Sequence, residues 1–352
     1  MTPRPLLAAL AALAVVGCSA GEPSGDSTVA ADPQAAAVAA CSDVTPLPAG
    51  TRPSIAVTVA PITSMVANVV GDLADVTGMV PEGTNSHTFE PPPSIAATLE
   101  RADVVFSNGL VLEEPTKDLA EVHLRDSATL CELGTSVLPA AEYIYDFSFP
   151  REGGKPNPHL WTDPTLASAY IERIRDVMAA LDPTNADAYR TNATAYLGRL
   201  AALDEAVRTA SATMTPEQRQ LLTYHDAYAY FSRTYDWTVI GAIQPSSFDE
   251  PTAKEIADLI AQVESSGVSA IFGSEVFPSP VLEQIGAETG VAYVDVLRDD
   301  DLPGAPGEPQ HSFLGLMQFD YVTMVEALGG DASAIASLDV SDVTTDRAEY
   351  PQ

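Results

Sequence analysis

The sequence is poor in basic side chains, long apolar runs and histidine, and the first two shortages each exclude a class of function. Only 17 of the 352 residues are Lys or Arg, against 49 Asp or Glu, so the formal net charge is −32. A chain this acidic lacks the basic face that nucleic acids require, which excludes a nucleic-acid partner. No internal segment is long and apolar enough to cross a bilayer. No His-Glu-x-x-His motif of a zinc hydrolase is present either.

The amino terminus predicts export and a lipid anchor. Arg4 precedes a short apolar run at residues 6–16, and residues 15–18 read Val-Val-Gly-Cys, which is typical of a bacterial lipobox. We predict a signal peptide at 1–17, cleavage before Cys18, and acylation of the Cys18 thiol. The alternative is an ordinary secretory signal with an incidental cysteine. Residues 18–42 are rich in Ala, Gly, Ser, Pro and Asp, and are predicted to form a flexible tether.

Two further cysteines, Cys41 and Cys131, lie in the exported part of the chain. An even pair in an oxidising compartment favours a disulfide that ties the start of the globule to its first lobe. Two buried free thiols are the alternative.

Alternating strand-like and helix-like segments predict the fold class. Residues 55–60, 102–107, 237–241, 270–273 and 291–294 are short and rich in β-branched residues, whereas 64–73, 252–265 and 280–289 have helical spacing. This alternation is typical of an α/β chain with parallel sheets. In such folds ligands bind in the loops at the carboxyl ends of the strands.

One segment predicts a long helix between the two groups of strands. Asp182 and Pro183 form a favourable helix start, and no further proline follows until Pro216. A helix over 184–213 would be about 40 Å long, enough to run the length of a bilobed protein. Its apolar stripe consists of Tyr189, Ala193, Tyr196, Leu197, Leu200, Leu203 and Val207.

Three of the five histidines lie in turn-rich settings that suit a metal ligand. His87 belongs to a proline-stiffened loop at 85–94, His159 to an Asn-Pro-His-Leu-Trp-Thr-Asp-Pro stretch, and His225 to Thr-Tyr-His-Asp-Ala-Tyr. Asp295 offers a fourth, carboxylate donor at the end of an apolar strand, although Asp299 and the two aspartates after it leave that choice open. These residues are about 70 positions apart, and such wide spacing has no local signature of its own.

The segments around these histidines together resemble the metal-binding subfamily of bacterial ABC-transporter substrate-binding proteins. The resemblance rests on residues 86–93 (Ser-His-Thr-Phe-Glu-Pro-Pro-Pro), 157–164 and 224–231, in this order, with the long helix before the third. It runs from about residue 54 to residue 328. It implies two α/β lobes joined by one rigid helix, with an N-terminal lobe at 43–181, the helix at 182–213, and a C-terminal lobe at 214–345.

The resemblance also implies the site and its cargo. His87, His159, His225 and Asp295 would hold a divalent metal in the cleft, two residues from each lobe. In this family a histidine at the third position is commoner in zinc carriers and a carboxylate there in manganese carriers, so His225 indicates zinc, with manganese as the alternative. The partners would be an ABC permease with its ATPase, and the protein would be a monomer anchored to the cell membrane from outside.

Four donors would fill a tetrahedral shell and leave no position for an activated water, which favours binding over catalysis. Metal affinity should then fall as the pH drops through the imidazole range. An exported zinc hydrolase and a metal-binding adhesin remain the alternatives. Glu90, Asp163 and Asp226 could orient the imidazole rings, whereas His123 and His311 match no ligand motif and are predicted to be surface or structural residues.

Overall fold

The computed structural model describes residues 32–242, 252–274 and 279–351, and places eight strands in two parallel sheets. The strands are β1 (Ser54–Val57), β2 (Asp75–Gly78), β3 (Val104–Ser107), β4 (Thr129–Glu132), β5 (Gln220–Thr223), β6 (Thr238–Ala242), β7 (Ala270–Ser274) and β8 (Ala292–Leu297). One sheet has the order β2-β1-β3-β4 and the other β6-β5-β7-β8. Every strand pairing within them is parallel. The α/β class with two parallel sheets is confirmed.

Helices surround both sheets in the described residues. They are α1 (Pro33–Ser42), α2 (Ala60–Val70), α3 (Ser94–Leu99), α4 (Glu114–His123), α5 (Leu133–Val137), α6 (Pro164–Leu181), α7 (Ala186–Ser211), α8 (Ala229–Tyr235), α9 (Ala253–Ser266), α10 (Pro280–Thr289), α11 (Phe313–Ala327) and α12 (Ser333–Ala336). None of these helices is long and apolar enough to span a membrane.

Local sequence signals explain where several helices begin and end. Thr252 and Glu255 form a capping box at the start of α9, and Ser279 accepts a hydrogen bond from the Leu282 amide at the start of α10. Gly267 and Gly290 follow these two helices with positive φ, a conformation that glycine adopts without strain. These caps explain why the sequence predicted α9 and α10 to within one residue.

The long helix is α7, whose 26 residues run between the two sheets in chain order. It packs against α6, α2, α11 and α12, and the predicted stripe is its buried face, with Leu197 half-buried. The helix begins at Ala186, not at Asp182, because Asp182 ends α6 and its carboxylate accepts the Tyr189 hydroxyl at 2.9 Å. One apolar core connects both sheets through these helices, including Ile55, Tyr196 and Phe272.

Two predicted segment boundaries differ from the structure. Residues 33–42 of the predicted tether form α1, because Asp32 caps the helix and Cys41 is joined to Cys131 by a disulfide. The second lobe was predicted to extend to residue 345, but residues 341–351 return to the first sheet. There the Glu349 amide donates to the Val76 carbonyl at 2.9 Å. The predicted signal peptide and Cys18 lie outside the described residues.

Candidate metal centre

The three predicted histidines meet at the carboxyl ends of strands from both sheets. His87 lies on the loop between β2 and α3, His159 on the segment before α6, and His225 two residues after β5. The Nε2 atom of His159 lies 3.3 Å from Nε2 of His87 and 3.2 Å from Nε2 of His225. These spacings match the edge of a zinc tetrahedron, about 3.3 Å for Zn–N bonds of 2.0–2.1 Å.

The aspartate beside these histidines is Asp299, whereas the predicted Asp295 lies elsewhere. The Asp299 Oδ2 atom lies 3.0 Å from His225 Nε2, and the Asp299 residue is only 3 % exposed. Asp295 is exposed in β8, an edge strand of its sheet. The difference follows from strand geometry, because a side chain reaches the ligand-binding edge of a parallel sheet only after the strand has ended, and β8 ends at Leu297.

Asn157 fixes the His159 ring and was not identified from the sequence. Its Oδ1 atom accepts from the His159 amide and from Nδ1, both at 2.9 Å. A proton on Nδ1 leaves the Nε2 lone pair free for a metal ion. The Asn157 amide nitrogen in turn donates to Asp146 Oδ2 at 2.7 Å and to the Asp226 carbonyl at 2.6 Å. An Asx turn in an Asn-x-His sequence is the signal that could have indicated this role.

The three carboxylates expected to orient the rings have other contacts. Glu90 is exposed, and Asp163 caps α6 by accepting from the Thr165 amide at 2.8 Å. Asp226 holds Asn157 through its backbone carbonyl, not through its carboxylate. Burial, and then the nearby Asp146 charge, raises the pKa of the Asp226 carboxyl well above its usual value.

The other two histidines lie outside this centre. His123 ends α4, with Nδ1 3.4 Å from Glu100 Oε1, whereas His311 is buried, with its ring edge-on to Tyr350. Within the described ranges, only the group of His87, His159 and His225 brings three donors close enough for one ion.

Burial keeps the three imidazoles neutral. It lowers the pKa of His225 to about 4, and it lowers the pKa of His159 and of His87 well below the usual value, with further contributions from the neighbouring histidines. Lys155 lowers the pKa of His87 further. Neutral imidazole is the form that binds a metal. With these lowered pKa values, proton competition is expected to begin below the usual imidazole range.

Apolar and aromatic side chains screen the centre from water. The Trp161 ring meets the His159 ring edge-on with a centroid distance of 5.1 Å, and Phe149 lies 5.5 Å from the His87 ring. A cavity of about 280 Å³ opens onto His87 and is lined by Phe149, Lys155 and Pro158. The centre is therefore a mostly buried set of nitrogen and oxygen donors between two α/β lobes.

These features define the class: a bilobed, metal-binding substrate-binding protein of an ABC transporter, and not an enzyme. The chain belongs to the family described as zinc-uptake complex component A, periplasmic, whose model matches residues 55–327. The resemblance inferred from the sequence is thus confirmed.

The relatives of this chain are named for different metals. The chain is 26% identical over 268 residues to the iron-binding protein YfeA of Yersinia pestis, covering 76% of this chain and 84% of the relative. It is 28% identical over 266 residues to the manganese-binding lipoprotein MntA of Halalkalibacterium halodurans, covering 75% and 84%. The solved periplasmic zinc-binding protein TroA of Treponema pallidum aligns with a TM-score of 0.72 at 25% identity, covering 79% of this chain and 99% of that one.

Proposed function

We propose that this protein is an extracytoplasmic, lipid-anchored carrier that captures a divalent metal, zinc, and delivers it to an ABC permease and its ATPase. The main support for this proposal is the donor set: the His159 Nε2 atom lies 3.3 Å from that of His87 and 3.2 Å from that of His225, and the Asp299 carboxylate lies 3.0 Å from His225 Nε2. His87 and His159 come from the first lobe, and His225 and Asp299 from the second.

The donor chemistry favours zinc. Three neutral nitrogens and one carboxylate complete the four-coordinate shell that zinc accepts, whereas manganese favours more oxygen ligands and a larger coordination number. A filled shell leaves no open position for an activated water, which disfavours the hydrolase alternative.

Manganese is the second candidate, supported by the relatives named for manganese and iron. Asp299 binding through both oxygens would add an oxygen ligand and move the site towards manganese. An affinity measured in vitro does not identify the physiological ion, because zinc binds more tightly than manganese to most sites of this kind.

Growth under metal limitation separates the candidate ions. Deleting the protein should impair growth under zinc depletion, and an intact copy should restore growth, whereas a copy carrying His159→Ala should not. Impairment under manganese depletion alone would make manganese the cargo. Normal uptake of both ions in the deletion strain would favour a surface adhesin over a carrier.

We propose a lipid anchor at Cys18 because this residue ends the predicted lipobox. Relatives that are named as lipoproteins support it. Acylation of the Cys18 thiol would hold the protein at the outer face of the cell membrane near its permease. We further propose that the protein acts as a monomer, because the metal donors all come from one chain.

Single substitutions test the ligand set. His87→Ala, His159→Ala and His225→Ala should each weaken zinc binding sharply in a competition titration with a chromophoric chelator. The melting temperature of the metal-free protein should change little, because each ring contributes mainly to the site. Unchanged affinity in one variant would remove that histidine from the ligand set.

A further inference from the structure

Three consecutive aspartates after β8 contact different partners. Asp299, Asp300 and Asp301 are 3 %, 8 % and 6 % exposed. Buried carboxylates are costly unless each is bonded to a donor or a cation, so a run of three requires an explanation for each. Asp299 faces the histidines, but the other two do not belong to the proposed ligand set.

Asp300 and Asp301 cross the cleft to the loop that carries His87. The Ser86 hydroxyl donates to Asp300 Oδ2 at 2.6 Å, and the Gly83 amide donates to both carboxylate oxygens of Asp301, at 2.9 and 3.0 Å. Ser86 precedes His87 directly and is 2 % exposed. We call this set, Gly83 and Ser86 with Asp300 and Asp301, the interlobe clasp.

The turn that presents these aspartates is itself held in place. The Arg298 amide donates to Asp320 Oδ1 of α11 at 3.1 Å, and the Asp320 Oδ2 atom accepts the Tyr228 hydroxyl at 2.8 Å. From the first lobe, Trp161 Nε1 donates to the Asp299 carbonyl at 2.8 Å. The second lobe therefore offers a fixed turn against which the His87 loop is bonded.

The clasp bonds the His87 loop to the second lobe. Within the loop, the Asn85 side chain accepts from the His87 amide at 2.9 Å, which shapes the local turn without tying the loop to the second lobe. Ser86 and His87 are consecutive, so a displacement of Ser86 also displaces the His87 backbone. The bonds of the clasp involve no metal ligand atom.

We propose that Asp300 and Asp301 are positioning residues that hold the His87 loop against the second lobe before metal arrives. The donors are then pre-assembled, and metal release requires the clasp to open. This inference rests on the proposed function of the centre. It predicts that removing a hydrogen bond of the interlobe clasp accelerates metal release even when His87, His159, His225 and Asp299 are unchanged.

The first experiment measures zinc release by stopped flow with a chelator in excess. Ser86→Ala and Asp300→Ala should each accelerate release about 10- to 100-fold, if release follows the loss of metal affinity that removal of groups around a ligand typically causes. Ser86→Thr, which keeps the hydroxyl, should restore slow release. The double variant should be no faster than either single one, because both changes remove the same bond.

A matched control removes a similar bond elsewhere. Thr234 donates its hydroxyl to Asp163 Oδ2 at 2.5 Å, away from the His87 loop. Thr234→Ala should therefore leave the release rate unchanged, even if the melting temperature falls. Equal acceleration in this control, or unchanged release in Ser86→Ala, would overturn the clasp.

The second experiment needs no metal and separates the clasp from the proposed function. The chain has two tryptophans, and Trp161 bonds across the cleft, so Trp237→Phe leaves Trp161 as the sole tryptophan, which can be excited selectively at 295 nm. In this background Asp301→Ala should increase acrylamide quenching of the metal-free protein at least threefold, because the opened cleft admits the quencher. Unchanged quenching would refute the clasp, whereas a wild-type protein that binds no metal would refute only the proposed function.

Discussion

Replacing Asp299 by Asn should weaken zinc binding strongly, and the same change at Asp295 should not. A carboxylate oxygen lies about 2.1 Å from a bound zinc ion. At that distance one negative and two positive charges attract by about 4 kcal/mol even at the dielectric constant of water. The amide of Asn keeps a weak oxygen donor, so we expect a net loss of about 3 kcal/mol, or roughly 100-fold in the dissociation constant.

The two positions form a matched pair. Asp299 lies 3.0 Å from His225 Nε2 and is buried, whereas Asp295 is exposed in β8, four residues earlier in the chain. Both substitutions remove one charge from the same lobe. A general effect of net charge on metal affinity would therefore appear equally in both variants.

The assay is a competition titration of zinc against a chromophoric chelator at neutral pH, with circular dichroism melting of the metal-free proteins as a check on folding. Asp295→Asn should stay within about twofold of the unsubstituted protein, since surface charges are screened by salt. If Asp299→Asn binds zinc as tightly as the unsubstituted protein, or if Asp295→Asn loses as much affinity, the assignment of Asp299 as the fourth ligand is refuted.

Three further predictions concern protons, the disulfide and the anchor. Because burial lowers the pKa of His225 to about 4, protons compete with the metal only when the pH approaches that value. Zinc affinity should be nearly constant from pH 7.5 to about 5.5 and fall below it; a steep loss already centred at about pH 6.5 in a calorimetric pH series would contradict this. Non-reducing peptide mapping should recover Cys41 and Cys131 as one linked pair, and the double Ala variant should lose about 4 kcal/mol of unfolding free energy, because the bridge spans 90 residues; free thiols at both positions would refute it. Cys18→Ala should abolish acylation, so an acylated, membrane-retained product of this variant in a labelling experiment would exclude the predicted lipobox.

The sequence by itself predicted the features that depend on local pattern. Apolar runs gave β1, β3, β6, β7 and β8, and caps with helical spacing gave α9 and α10. The strands missed were β2, β4 and β5, each four residues long. Length does not explain the difference, because β1 and β3 are equally short and were predicted. The missed strands read Asp-Val-Thr-Gly, Thr-Leu-Cys-Glu and Gln-Leu-Leu-Thr, so polar residues interrupt the apolar run by which a short strand is recognised.

The three histidines could be predicted because the segments around them are distinctive, even though nothing in their spacing brings them together. The sequence pointed to Asp295, whereas Asp299 is the aspartate that lies beside His225, because several aspartates follow one another and the sequence does not show where β8 ends. Asp299 can be identified only from the structure, which shows that β8 ends at Leu297 and that the Asp299 carboxylate lies beside His225.

Tertiary structure alone decided the contacts between distant segments. Asn157 fixes the His159 ring by a local turn, but Asp300 reaches Ser86 across 214 positions of the sequence. Helical and strand periodicities describe which face of an element is buried, and they carry no information about which loop lies opposite. The clasp therefore follows only from the way the two lobes pack, since a hydrogen bond depends on distances of a few tenths of an ångström that no sequence pattern specifies.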